Sequence, residues 1–167
     1  MLRGEPRLWA RVRGARRPRN RSGSLQQGEY VKGVNDRIPS IGLLVLRLGT
    51  GGLLLYGHGW AKMMNFSKRV STFADPVGLG PEVSFTLVVL AEFVCSIALM
   101  LGLGTRFAAV PIVIFGLIAA FVQHIADPFA KKELALLYAV PALTLLFTGA
   151  GRFSLDALIG SIWKRSS

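Results

Sequence analysis

FAAVPIVIFGLIAAFVQHI, residues 107–125, carries no Asp, Glu, Lys or Arg in nineteen positions. As a helix rising 1.5 Å per residue it would extend ~28 Å, close to the ~30 Å hydrocarbon core of a bilayer. A helix of a soluble bundle keeps a polar stripe for water, and this run is apolar all round. Three neighbouring stretches read the same way. Residues 83–104 hold one charge, Glu92, residues 40–60 hold one, Arg47, and the shorter run 134–149 holds none. The sequence therefore predicts an all-α protein: an integral membrane four-helix bundle with spans at about 40–60, 83–104, 107–125 and 134–149.

Composition agrees and excludes other classes. The 167 residues are 51% hydrophobic and 17% charged, with a net charge of +11. Disordered chains have the opposite balance. A single cysteine, Cys95, excludes a disulfide scaffold, a CxxC pair and a cysteine-rich metal site. A basic, oily chain could still be a nucleic-acid binder with a large core, so the position of the charge decides. Residues 1–39 hold ten basic side chains against three acids, +7 of the +11. This segment reads as a flexible basic arm, with a mitochondrial transit peptide or an over-called translation start as the other readings. It lacks the fold context of a nucleic-acid reader, and anionic lipid headgroups are the simpler partner.

Four spans put both termini on one side, with 14 basic residues there against 5 opposite. The positive-inside rule then places both termini in the cytoplasm, and that assignment rests on the arm. Between spans one and two, Trp60, Met63, Phe66, Val70 and Phe73 recur every three or four residues. They predict a helix lying in the outer interface, with an irregular loop as the alternative. Residues 161–167 read as a short basic tail. Small residues at i, i+4 spacing (Ala98/Gly102, Gly116/Ala120, Ala135/Ala139) are candidate helix–helix contacts.

Ionisable residues inside a span are expensive and point to function. Counting along each helix puts Arg47 ~10 Å and Glu92 ~18 Å from the cytoplasmic ends of their spans. That ~8 Å difference lets a long Arg side chain meet the Glu. The two are expected to pair, as a structural ion pair, as a substrate- or proton-handling pair, or else to stand apart as snorkelling residues. His58 and His124 each lie ~27 Å up their helices, near the outer surface. Arg47 and His58 share a face, with Lys62 one turn further on and Tyr138 entering from span four. The candidate site is a cavity with an Arg–Glu floor and a His/Lys/Asp rim, Asp127 and Glu133 lying close to the histidines, suited to a small polar or quinone-like ligand. Two histidines at one height could also ligate haem or a metal, but no third-ligand pattern accompanies them, and no metal site is assigned. Nor do a phosphate loop, a nucleophile elbow or HExxH appear, so catalytic residues stay unassigned.

Several of these residues together resemble the DoxX family of small bacterial membrane proteins. They are Arg47 before a Gly-rich stretch, His58-Gly59-x-x-Lys62, and Glu92 leading to Gly102-x-x-Thr105-Arg106. His124, Glu133 to Tyr138, and Gly149-x-Gly151-Arg-Phe-Ser154-Leu-Asp156 complete the set. The resemblance covers roughly residues 40–160 and leaves the arm outside. It implies a four-helix protein of the bacterial inner (plasma) membrane. Through the DoxD-like group it also implies a redox-associated subunit handling a quinone or a small sulfur compound, linked to oxidative stress. The residues it carries over are Arg47, His58, Lys62, Glu92 and His124. With no paired cysteine, electrons would need a quinone as cofactor, or a soluble redox partner or second subunit. A non-catalytic scaffold for such partners and a small transporter working as a homo-oligomer are the alternatives.

Overall fold

The computed structural model describes residues 37–166, so the basic arm lies almost wholly outside the described residues. Six helices and no strand occupy them. They are α1 Arg37–Met64, α2 Phe66–Arg69, α3 Pro81–Leu101, α4 Thr105–Gln123, α5 Phe129–Thr148 and α6 Leu155–Ser166. α1, α3 and α4 are long and apolar enough to cross a membrane. α5 has twenty residues but opens with Lys131, Lys132 and Glu133, five residues earlier than the apolar run suggests.

Close packing of small residues aligns the helices, as bilayer-buried interfaces require. On α4, a Cβ at Gly116 would stand 2.9 Å from the Ala139 Cβ and 3.2 Å from the Ala135 carbonyl of α5. The small faces seen in the sequence thus meet each other. On α1, Gly51 lies under Ser96 and Met100 of α3, and Gly59 lies directly against the Glu92 backbone. The core between the helices is narrow: Leu54, Leu99, Ala109, Ile112, Ala142 and Leu145. Most other large apolar side chains face outward, among them Val45, Leu53, Leu137 and Val140.

Exposed aromatics mark two levels. Tyr56, Trp60, Phe121 and Phe129 lie toward one end, and Phe107, Phe147 and Phe153 toward the other. Phe107 to Phe121 is fourteen residues and Phe129 to Phe147 eighteen, or ~21 and ~27 Å along α4 and α5.

The connection from α1 to α3 does not form one continuous helix over the stretch from Trp60 to Phe73. Asn65 interrupts it with a non-helical backbone, its Nδ2 donating to the Ala61 carbonyl at 2.9 Å. Only one further turn, α2, follows. Phe66 and Phe73 then stack on the fully buried Phe85 at 5.3 and 5.0 Å, which seats the segment on α3. Asp75 ends it by accepting from the Leu79 and Gly80 N–H groups and the Ser84 hydroxyl. Those bonds, the Ser84 hydroxyl foremost, hold its carboxyl below the usual range.

α3 stops at Gly102, whose φ of +68° suits glycine. Gly102 N–H donates to Leu99 and Leu103 N–H to Ala98, a paired closure that satisfies the last carbonyls. Residues 161–166 of the expected basic tail form the second half of α6, which starts six residues before them.

Candidate functional site

Three of the long helices each contain one widened π turn: Leu55–Gly59 in α1, Leu90–Cys95 in α3 and Ala119–Gln123 in α4. Such turns insert a residue into the helical ladder, rotate the side chains around it and recur at functional sites. All three flank one cavity of about 160 Å³, walled by His58, Lys62, Glu92, Phe115, His124 and Tyr138 among others.

At its wall Lys62 Nζ lies 2.6 Å from both Glu92 carboxylate oxygens. The two side chains are only 20% and 17% exposed. His58 meets Tyr138 edge to face, with ring centroids 5.5 Å apart. On the rim, His124 Nδ1 lies 2.7 Å from Asp127 Oδ2, and Lys131 Nζ donates to Asp127 Oδ1 at 3.2 Å. The hydrogen bond to His124, and then Lys131, holds the Asp127 carboxyl below its ordinary range. A second cavity of about 270 Å³ lies between the 73–79 segment and α3 and α4. Lys62, Glu92, Phe115, Ala119 and His124 line both spaces.

Five of the six expected site residues therefore converge. Arg47 does not, and the expected Arg47–Glu92 pair is replaced by Lys62–Glu92. The reason is register. With Gly59 against Glu92 and Gly51 against Ser96 and Met100, the rung of α3 level with Arg47 is Gly102, ten residues and ~15 Å from Glu92. Arg47 is wholly buried there and donates to the Phe153 carbonyl. It also lies within the field of Asp156. Asp156 in turn accepts from the Gly104 N–H at 2.7 Å and the Thr105 N–H at 3.0 Å, capping α4. The Gly102, Thr105, Phe153 and Asp156 positions of the motifs thus form a latch at the far end.

Sequence reading placed Asp127 at the rim but gave Lys131 no part in the site. The three-residue step from His124 to Asp127 and the four-residue step on to Lys131 are the available signal. Phe115 and the 73–79 segment carried none.

Comparison with known proteins gives a consistent picture. The DoxX family pattern matches residues 42–125. Inner membrane protein YqjF of Escherichia coli K12 is 28% identical over 133 residues, covering 76% of this chain and 98% of that protein. A Haemophilus influenzae protein is 36% identical over 106 residues, 59% of this chain and 77% of its own length. No solved structure matches.

Proposed function

The chain belongs to the DoxX family, and from that premise we propose that it is a four-span, redox-associated subunit of the bacterial inner membrane. Both termini are cytoplasmic in this reading, and the outer cavity receives a quinone or a small sulfur compound. The similarity to an inner membrane protein supports the location. The two aromatic levels, ~21 to ~27 Å apart along α4 and α5, support α5 as the fourth span.

The observation that carries the reading is the convergence of three π turns on one partly polar cavity with an ion pair in its wall. A quinone that accepts two electrons also takes up two protons. His58 beside Tyr138, and Lys62 beside Glu92, are proton-exchanging groups in the right place. Lys62 and Lys131 offer positive charge to an anionic sulfur compound. With one cysteine in the chain, the two electrons reach the quinone from the oxidised sulfur compound itself or through a soluble partner or a second subunit.

The test is mass spectrometry of lipid extracts from the purified protein, with thiosulfate-dependent quinone reduction in membranes. Expected are a co-purifying quinone and a loss of about tenfold or more in reduction rate for Glu92→Gln, equivalent to 1.4 kcal/mol or more. No quinone and no reduction, alone or with co-purified partners, overturns the reading.

A further inference from the structure

α6 is the helix that the cavity chemistry leaves unused. Leu155, Leu158, Ile159 and Ile162 follow one another at helical spacing and form one stripe, while Gly160, Ser161 and Lys164 lie opposite. The four stripe residues are 37–59% exposed, so the protein leaves much of that face uncovered. A soluble helix would turn such a stripe inward.

The latch fixes where this helix begins. Asp156 N–H donates to the Gly102 carbonyl, and its carboxylate caps α4 at Gly104 and Thr105. α6 therefore starts level with the α3–α4 turn. Gly151 packs against Ser40 and Leu43 near the start of α1, so the same level is where α1 begins. Exposed Phe107, Phe147 and Phe153 stand at this end too. Around α6 the charges are Arg152, Lys164 and Arg165, and its one acid, Asp156, is occupied in capping.

We propose that α6 lies in the bilayer interface at this end, its stripe sunk into the headgroup–acyl boundary and its cations on anionic lipid headgroups. Amphipathic helices with a cationic polar side bind membranes in this way. The inference rests on reading the long helices as spans. It commits to lipid because the stripe starts at the level where the spans leave the hydrocarbon, and its flanking charge is complementary to acidic headgroups.

The test places single nitroxide labels at positions 114, 159, 161, 162 and 164 of the full chain carrying Cys95→Ala, in vesicles containing phosphatidylglycerol. Collisions with oxygen and with a water-soluble nickel chelate are then compared. Labels at 159 and 162 should favour oxygen, with nickel accessibility at least about threefold below that at 161 and 164. The label at 114, on the outward face of α4, reports the span reading separately. Equal nickel access around α6 with a lipid-exposed 114 overturns the inference alone, and a nickel-exposed 114 overturns the span reading with it. Spin–spin broadening between copies at 159 would assign the stripe to a second copy of this chain and also overturn it. Hydrogen exchange of the unlabelled protein in nanodiscs gives an independent reading. α6 amides should exchange about tenfold more slowly with phosphatidylglycerol than with neutral lipid alone, and equal rates overturn the headgroup contact.

Discussion

Lys62 reaches from α1 to Glu92 on α3, placing its ammonium 2.6 Å from both carboxylate oxygens at the edge of the cavity beside His58 and Tyr138. Either charge alone in that setting is costly, because its partner is what offsets its desolvation. Lys62→Leu or Glu92→Leu should each lower stability in detergent by about 1–3 kcal/mol, and the double change by less than their sum. Arg47→Leu and Glu92→Leu should add, since they lie at different levels. A denaturation cycle on both pairs checks this, and coupling between Arg47 and Glu92 would contradict the register described above.

Two glycines of α1 should behave in opposite ways. A Cβ at Gly59 would overlap the Glu92 carbonyl, backbone that cannot step aside as a flexible side chain can. Gly59→Ala should cost about 1–3 kcal/mol by forcing α1 and α3 apart. At Gly49 the space is open, and Gly49→Ala should be neutral or favourable by up to about 1 kcal/mol. Melting temperatures of the two variants decide it.

At the latch, Asp156→Ala removes the cap on α4 and should cost about 0.5–2 kcal/mol. Gly102→Ala should cost more, because it combines a left-handed backbone with overlap onto Arg47 and Ser154. On the proposed reading, any co-purifying quinone should persist in both variants wherever the protein still folds, since the cavity beside His58 and Tyr138 lies at the other end. Selective loss of quinone from folded protein would contradict that separation.

Asp127 supplies a pH dependence. Its carboxyl is held below the ordinary value by His124 and Lys131. Its stabilising contribution is therefore present above the unfolded Asp pKa of about 3.9 and is lost as pH falls through the lower folded value. The difference in melting temperature between the wild type and Asp127→Asn should shrink as the pH falls from about 5 toward about 3. A difference that grows on acidification would reverse the assigned sign.

Much of this was legible in the sequence. Apolar runs with at most one charge announced the long helices, and Gly116/Ala120 and Ala135/Ala139 marked the small faces by which α4 and α5 touch. His58, Lys62, Glu92, His124 and Tyr138, which the sequence groups, all line one cavity. Arg47 was misassigned because depth was counted from notional helix ends. Small residues say that two backbones approach, but not which rungs face each other, and here Gly51 and Gly59 set that alignment. α6 escaped notice because Lys164 and Arg165 dilute its hydropathy. Its signal was the spacing of Leu155, Leu158, Ile159 and Ile162. The π turns depend on how neighbouring helices accommodate an inserted residue, and no local pattern announces them.

The two cavities share Lys62, Glu92, Phe115, Ala119 and His124 as a common wall. A molecule that draws Lys62 away from Glu92 in one compartment reshapes its neighbour at the same moment. Occupants of the two spaces would then not bind independently, and linkage requires each to alter the other's affinity by the same factor. A ligand in the space beneath residues 73–79 would therefore act as an effector of the compartment that holds His58 and Tyr138.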